Sequence, residues 1–126
     1  MLGIAVAQVL HSLEEYRNSL WEVLAPARVA SGIIGDDPAL GFLIINTLVA
    51  ALAFWTYFVP VSRDWPTARV FLWFWVVLEL GNGIGHLALA ASARGYFPGA
   101  YTAPLLLGAS CYLAVGLIRG NRAPTT

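Results

Sequence analysis

The stretch VFLWFWVVLELGNGIGHLALAASA, residues 70–93, decides the fold class. A bilayer's hydrocarbon core is crossed by about 20 helical residues rising about 1.5 Å each. This run is longer than that, and its only ionisable groups are Glu79 and His86. On either side lie two further runs with no charge at all, Pro38 to Ser62 and Gly95 to Ile118. These patterns predict spanning helices at about residues 39–61, 68–92 and 100–118. A first helix is expected over 2–24, and a polar tail over 119–126. The reading is all-α: one polytopic integral membrane domain, residues 1–126, built as a four-helix bundle.

Composition excludes the main alternatives. Hydrophobic residues make up 59% of the 126 and charged ones 11%, against about a quarter charged in a soluble domain. Net charge is zero, so no basic excess is available to meet nucleic-acid phosphates or to hold a polybasic membrane surface. All seven basic residues are Arg, and Ala and Gly are abundant, which points to a GC-rich bacterial genome. Cys111 is the single cysteine and cannot form an intrachain disulfide; in an apolar helix it reads as a packing residue.

The segment Leu2 to Leu24 carries His11, Glu14, Glu15, Arg17, Asn18 and Glu22. No lipid-facing helix would carry these, so the expectation is a helix shielded by the other three, with a half-buried interfacial helix as the alternative. Acidic residues and the lack of a basic leader argue against a signal peptide. Gly35 to Pro38 reads as a loop and helix start, with Asp37 as N-cap and Pro38 at the first helical position. Arg63 to Pro66 separates the second and third helices, and Pro98-Gly99 suits a tight turn. Trp55, Tyr57, Trp65, Trp73 and Trp75 read as an interfacial belt. Arg63, Arg69, Arg119 and Arg122 fall on one side, against Arg28 and Arg94, or three with Arg17, on the other. That balance favours a bacterial cytoplasmic (inner) membrane with both termini in the cytoplasm.

The polar misfits share faces. At about 100° per residue, Glu14 and Glu15 flank His11, and Glu79, Asn82 and His86 fall within an arc of about 60°. Asn46, on the antiparallel second helix, reaches a similar depth. Each ionised carboxylate at the bilayer centre costs about 2.5–3.5 kcal/mol, so these groups must be protonated, paired, metal-bound or wet. A Glu14–Arg17 pair would account for part of the set without function.

Three features in order carry a resemblance: His11-Ser12-Leu13-Glu14-Glu15, a second histidine at His86 within Asn82-Gly83-Ile84-Gly85-His86, and Tyr96-Phe97-Pro98-Gly99. Together, over about residues 8 to 108, they resemble the HXXEE domain family of small bacterial membrane proteins. That family has no established activity. The resemblance implies that His11, Glu14, Glu15, His86, Tyr96, Pro98 and Gly99 matter, and it leaves the chemistry open.

From the residues themselves, His11, Glu14 and Glu15 can converge on one ion, completed by Glu79 and His86. Imidazole with carboxylate suits zinc, iron or manganese, with His11, Glu15 and His86 as the metal ligands. Without a metal the same groups serve as acid and base. Asn46, Asn82 and Tyr96 are candidate substrate contacts, although Tyr96-Phe97-Pro98-Gly99 reads first as the turn itself. Gly81 and Gly85 form a small-residue pair suited to helix packing, within the chain or in a homo-oligomer. The expected function is a membrane enzyme performing acid–base, metal-assisted or metal-free, chemistry of isomerisation or cyclisation type on a small lipophilic molecule. A proton- or cation-coupled transporter and an accessory membrane subunit are the alternatives.

Overall fold

The computed structural model describes residues 1–120, so the expected tail lies outside the described residues from position 121 onward. All its regular structure is helical: α1 (Leu2–Arg17), α2 (Leu20–Val23), α3 (Ala25–Ile34), α4 (Pro38–Thr56), α5 (Ala68–Ala93) and α6 (Ala103–Gly120). A π-helical turn, Tyr57–Val61, extends α4. Pro60 has no N–H to donate inside that turn, and Ser62 closes it with both its backbone N–H (3.0 Å) and its hydroxyl (2.7 Å) on the Tyr57 carbonyl. Among the described residues, three helical segments are long and apolar enough to cross a membrane: Pro38–Val61, Ala68–Ala93 and Ala103–Gly120.

The N-terminal segment departs from the single helix expected over 2–24. Asn18 ends α1, its side-chain amide donating to the Glu14 carbonyl at 2.8 Å, and Ser19 follows in the left-handed region at φ 50°. A short polar side chain at a helix C-terminus satisfies carbonyls that the next turn would have used. The chain then reverses through α2 into α3, which opens with Pro26 in its first turn and lies along α4. Asp37 caps α4 as its sequence predicts, accepting from the backbone N–H of Ala39 at 2.9 Å and of Leu40 at 3.3 Å.

α1 is inverted relative to a helix of a soluble protein. Its buried face holds Gln8, His11, Ser12 and Glu15 beside Ile4, Ala5 and Ala7. Its exposed face carries Leu2, Val6, Leu10, Leu13 and Tyr16. α1 packs on α4 and α6 and touches α5 more lightly, while α5 and α6 form the most extensive pairing. The core joins Ile4 and Ala5 to Ala53 and Trp75. Trp75 is therefore not a belt residue: it is 0% exposed, and its indole N–H donates to the Thr56 hydroxyl at 3.1 Å. Trp55 and Trp65 do meet near the 62–67 turn, edge to face at 6.0 Å.

The close approach of α5 to α6 falls at Gly83 and not at the Gly81/Gly85 pair. A Cβ on Gly83 would lie 2.8 Å from Leu107 Cγ and 3.1 Å from the Ala103 carbonyl, whereas one on Gly81 or Gly85 would meet nothing within 4 Å. Gly81 and Gly85, expected to serve helix packing, lie on one face of α5, but α6 packs on the face that carries Gly83. Gly83→Val is therefore expected to destabilise the fold by about 1–3 kcal/mol through overpacking. Gly81→Val and Gly85→Val should leave the thermal midpoint of the detergent-purified protein close to that of the parent.

Candidate metal centre

One turn of α1 and one residue of α5 build the site. His11 and Glu15 sit at i and i+4, and His86 faces them. Glu15 Oε1 lies 3.4 Å from His11 Nε2 and 3.0 Å from His86 Nε2. The imidazoles stand nearly perpendicular, 85° between planes, with centroids 4.7 Å apart. All three residues are buried, and one ligand atom from each falls within 4.8 Å of the others.

Hydrogen bonds on the far side of each ring decide which nitrogen carries the proton. His86 Nδ1 lies 2.6 Å from the Pro98 carbonyl, which can only accept, so Nδ1 donates. His11 Nδ1 lies 2.8 Å from the Thr102 hydroxyl. That hydroxyl gives its single hydrogen to Glu14 Oε2 at 2.6 Å, so it accepts from His11. Both rings thus carry hydrogen at Nδ1, and in its neutral form each has its lone pair at Nε2. The two Nε2 atoms and the Glu15 carboxylate face one another, and among the described residues His11 Nε2 has no hydrogen-bond partner. Three acceptors converging in a buried space repel unless a cation or a proton lies among them. Backbone and hydroxyl partners on Nδ1 are the arrangement that orients imidazoles toward a metal.

Glu14 does something different from Glu15. Both its oxygens point at the 96–102 segment: Oε1 accepts from the Tyr96 hydroxyl at 2.8 Å and from the N–H groups of Gly99 and Tyr101 at 3.1 Å each. Oε2 accepts from the Thr102 N–H at 2.8 Å as well as from the Thr102 hydroxyl. No ion pair with Arg17 forms among the described residues. Partial burial, then the hydrogen bond and charge of Glu14, push the Tyr96 hydroxyl up to about 12, so it stays a donor at physiological pH. Gly99, at φ 91°, roofs the cluster; a Cβ there would lie 2.5 Å from His86 Nδ1 and 2.8 Å from His11 Cε1. The turn is therefore part of the site, and Tyr96 acts through Glu14.

Glu79 lies two helical turns below His86 on the same face of α5, about 10 Å further from the 94–102 turn. It stands outside the His–Glu–His group. Its carboxyl oxygens are each 3.0 Å from the side-chain amide of Gln8. The other end of that amide lies 3.0 Å from Ser12 Oγ, Ser12 donates to Asn46 Oδ1 at 2.8 Å, and Asn46 donates to the Phe42 carbonyl at 3.0 Å. A cavity of about 820 Å³ connects the two regions, its polar lining formed by Gln8, Glu15, Asn46, Glu79 and Asn82.

The chain matches the family model described as a protein of unknown function with HXXEE motif, over residues 2–114. The chain belongs to this family. No curated protein and no solved structure matches it. In the HXXEE segment, His11 and Glu15 face the cluster while Glu14 locks the turn that holds both rings. Thr102 and Gln8 were not anticipated. Gln8 had a signal, since Gln8, Ser12 and Glu15 repeat at helical spacing on the His11 face. Thr102 had none, because only the folded turn brings it to His11.

In Glu14→Gln, an NH₂ would face two or three donors whichever way the amide turned. The expected loss is about 1–3 kcal/mol of stability, read as a lower thermal midpoint in chelator-treated protein. Gly99→Ala should also destabilise, and more than Gly95→Ala, where a Cβ meets only one backbone atom at 3.9 Å.

Proposed function

We propose that this protein is an intramembrane enzyme in which α1 joins the three spanning helices as a fourth, and that His11, Glu15 and His86 bind one divalent cation serving a lipophilic substrate. The observation that carries this reading is the convergence of two imidazole Nε2 atoms and a carboxylate oxygen, with His11 Nε2 left without a hydrogen-bond partner among the described residues. Two imidazoles and a carboxylate suit zinc, iron or manganese, and a site with three protein ligands leaves a coordination position open. When bound, such a cation supplies Lewis acidity or an activated water.

The protein's own groups do the rest. Pro98 and Thr102 hold the rings by their Nδ1 hydrogens, and Glu14 holds Thr102. Glu15 is the member of the cluster that lines the cavity, so substrate meets the site on the Glu15 side. Phe42, Val49, Val77 and Leu78 form apolar walls, and Val77 and Leu78 are exposed to the surrounding phase. That supports entry of a lipid-soluble molecule from the bilayer. The apolar outer face of α1 supports placing that helix in lipid as well. With both termini in the cytoplasm of a bacterial inner membrane, the 94–102 turn and the cluster lie toward the outer leaflet.

A second reading replaces the cation with a proton. The 3.0 Å separation of His86 Nε2 from Glu15 Oε1 is a hydrogen-bond distance, which favours a shared proton and metal-free acid–base chemistry. Elemental analysis of detergent-purified protein separates the two. The metal reading predicts close to one divalent ion per chain, lost in His11→Ala, His86→Ala and Glu15→Gln and retained in Cys111→Ala, whose residue is exposed on α6. Metal-free parent that takes up neither zinc, iron nor manganese on titration would overturn it in favour of the proton reading.

A further inference from the structure

We infer that Glu79 stands in the membrane as a neutral carboxylic acid, and that the cavity it lines receives an uncharged lipid through a hydrogen-bond-accepting oxygen. The second half rests on the lipophilic-substrate reading above; the first does not. Glu79 is 0% exposed on a helix of bilayer-crossing length, and the ion pairs among the described residues all belong to Glu15. Among the described residues, no Arg lines the cavity, and the chain has no Lys.

Hydrogen-bond direction assigns the proton. In one orientation of Gln8, its NH₂ donates to Ser12, Ser12 donates to Asn46 Oδ1, and Asn46 donates to the Phe42 carbonyl. Every member of that chain is satisfied. It leaves Gln8 Oε1 facing both Glu79 oxygens at 3.0 Å, and two facing acceptors require a hydrogen between them, supplied by a carboxylic acid. In the other orientation the NH₂ faces Glu79, which could then be ionised. Ser12 would then have one hydrogen for two acceptors, Gln8 Oε1 at 3.0 Å and Asn46 Oδ1 at 2.8 Å. Turning Asn46 to relieve this would break its bond to Phe42. A single proton on Glu79 resolves the whole chain, and it also removes an unpaired charge from hydrocarbon surroundings, where ionised carboxylates are costly.

Neutrality at Glu79 sets the class of ligand. With the acid O–H given to Gln8, the polar lining of the cavity is the amides of Gln8, Asn46 and Asn82, each with an N–H to spare, beside a Glu15 whose charge is met within its own cluster. A phosphate or carboxylate headgroup would find no cation there, and an ammonium group would find no free carboxylate. An alcohol, ketone or ester oxygen would find donors. Had Glu79 been ionised, the same cavity would favour a cationic amphiphile.

Infrared difference spectroscopy tests this in lipid nanodiscs at neutral pH. Subtracting the Glu79→Gln spectrum from that of the parent should leave a protonated carboxyl C=O band. Gln8→Met should retain the band but shift it, because its acceptor is gone; this variant also serves if Glu79→Gln fails to fold. A long-chain methyl ketone should shift the parent band, and a matched alkyl phosphate or alkyltrimethylammonium should not. A carboxylate band in place of the acid band would overturn the inference, as would a response to the ammonium probe alone or no response to the ketone. His86→Ala should keep the acid band whether or not the parent binds metal, so failure of the metal reading stays distinguishable from failure of this one.

Discussion

Two imidazoles held by their outer nitrogens govern this structure. The Pro98 carbonyl takes the Nδ1 hydrogen of His86, and the Thr102 hydroxyl takes that of His11. Each bond fixes a tautomer, and the pair turns both Nε2 lone pairs onto Glu15. The rest of the local architecture serves that constraint. Glu14 binds the 96–102 segment through five donors and so places Pro98 and Thr102. Gly99 gives the rings the space that any Cβ would occupy. The packing of α5 on α6 at Gly83 sets the position of His86 relative to α1.

The apolar outer face of α1 suits an apolar solvent, as do the three helices of bilayer-crossing length. In water, α1 would be folded inside out, with its polar residues buried and Leu2, Val6, Leu10 and Leu13 exposed. In lipid the exposed apolar face is solvated and the buried polar face must satisfy itself. It does so in two groups at different depths: the His–Glu–His cluster under the 94–102 turn, and the Glu79–Gln8–Ser12–Asn46 chain below it. A cavity lies between them, lined by Glu15 of the first and Glu79, Gln8 and Asn46 of the second.

The three helices long and apolar enough to cross a membrane were legible because runs of bilayer length with at most two ionisable groups are read from composition alone, and Asp37-Pro38 announced the start of α4. The break after Arg17 was not, since Asn18 and Ser19 are ordinary polar residues until the chain turns on them; α3 was hidden behind the same break. Helical spacing put His11, Glu15 and His86 together and the fold does bring them together. It also grouped Glu14 with them, although Glu14 and Glu15 point about 100° apart around the helix; only the turn shows what each one meets. Composition could not separate Trp75, which is core, from the tryptophans at the ends of the helices. Thr102 carries no local signal, because its role depends on a contact with His11 across 91 positions of chain.

Nitrogen NMR of histidine-labelled protein during a zinc titration tests the central claim most directly. The account predicts that both His11 and His86 reach the Nδ1–H tautomer and that their Nε2 resonances move together, saturating at one equivalent. Nε2 signals that stay unmoved by zinc, or a ring bound through Nδ1, would contradict it.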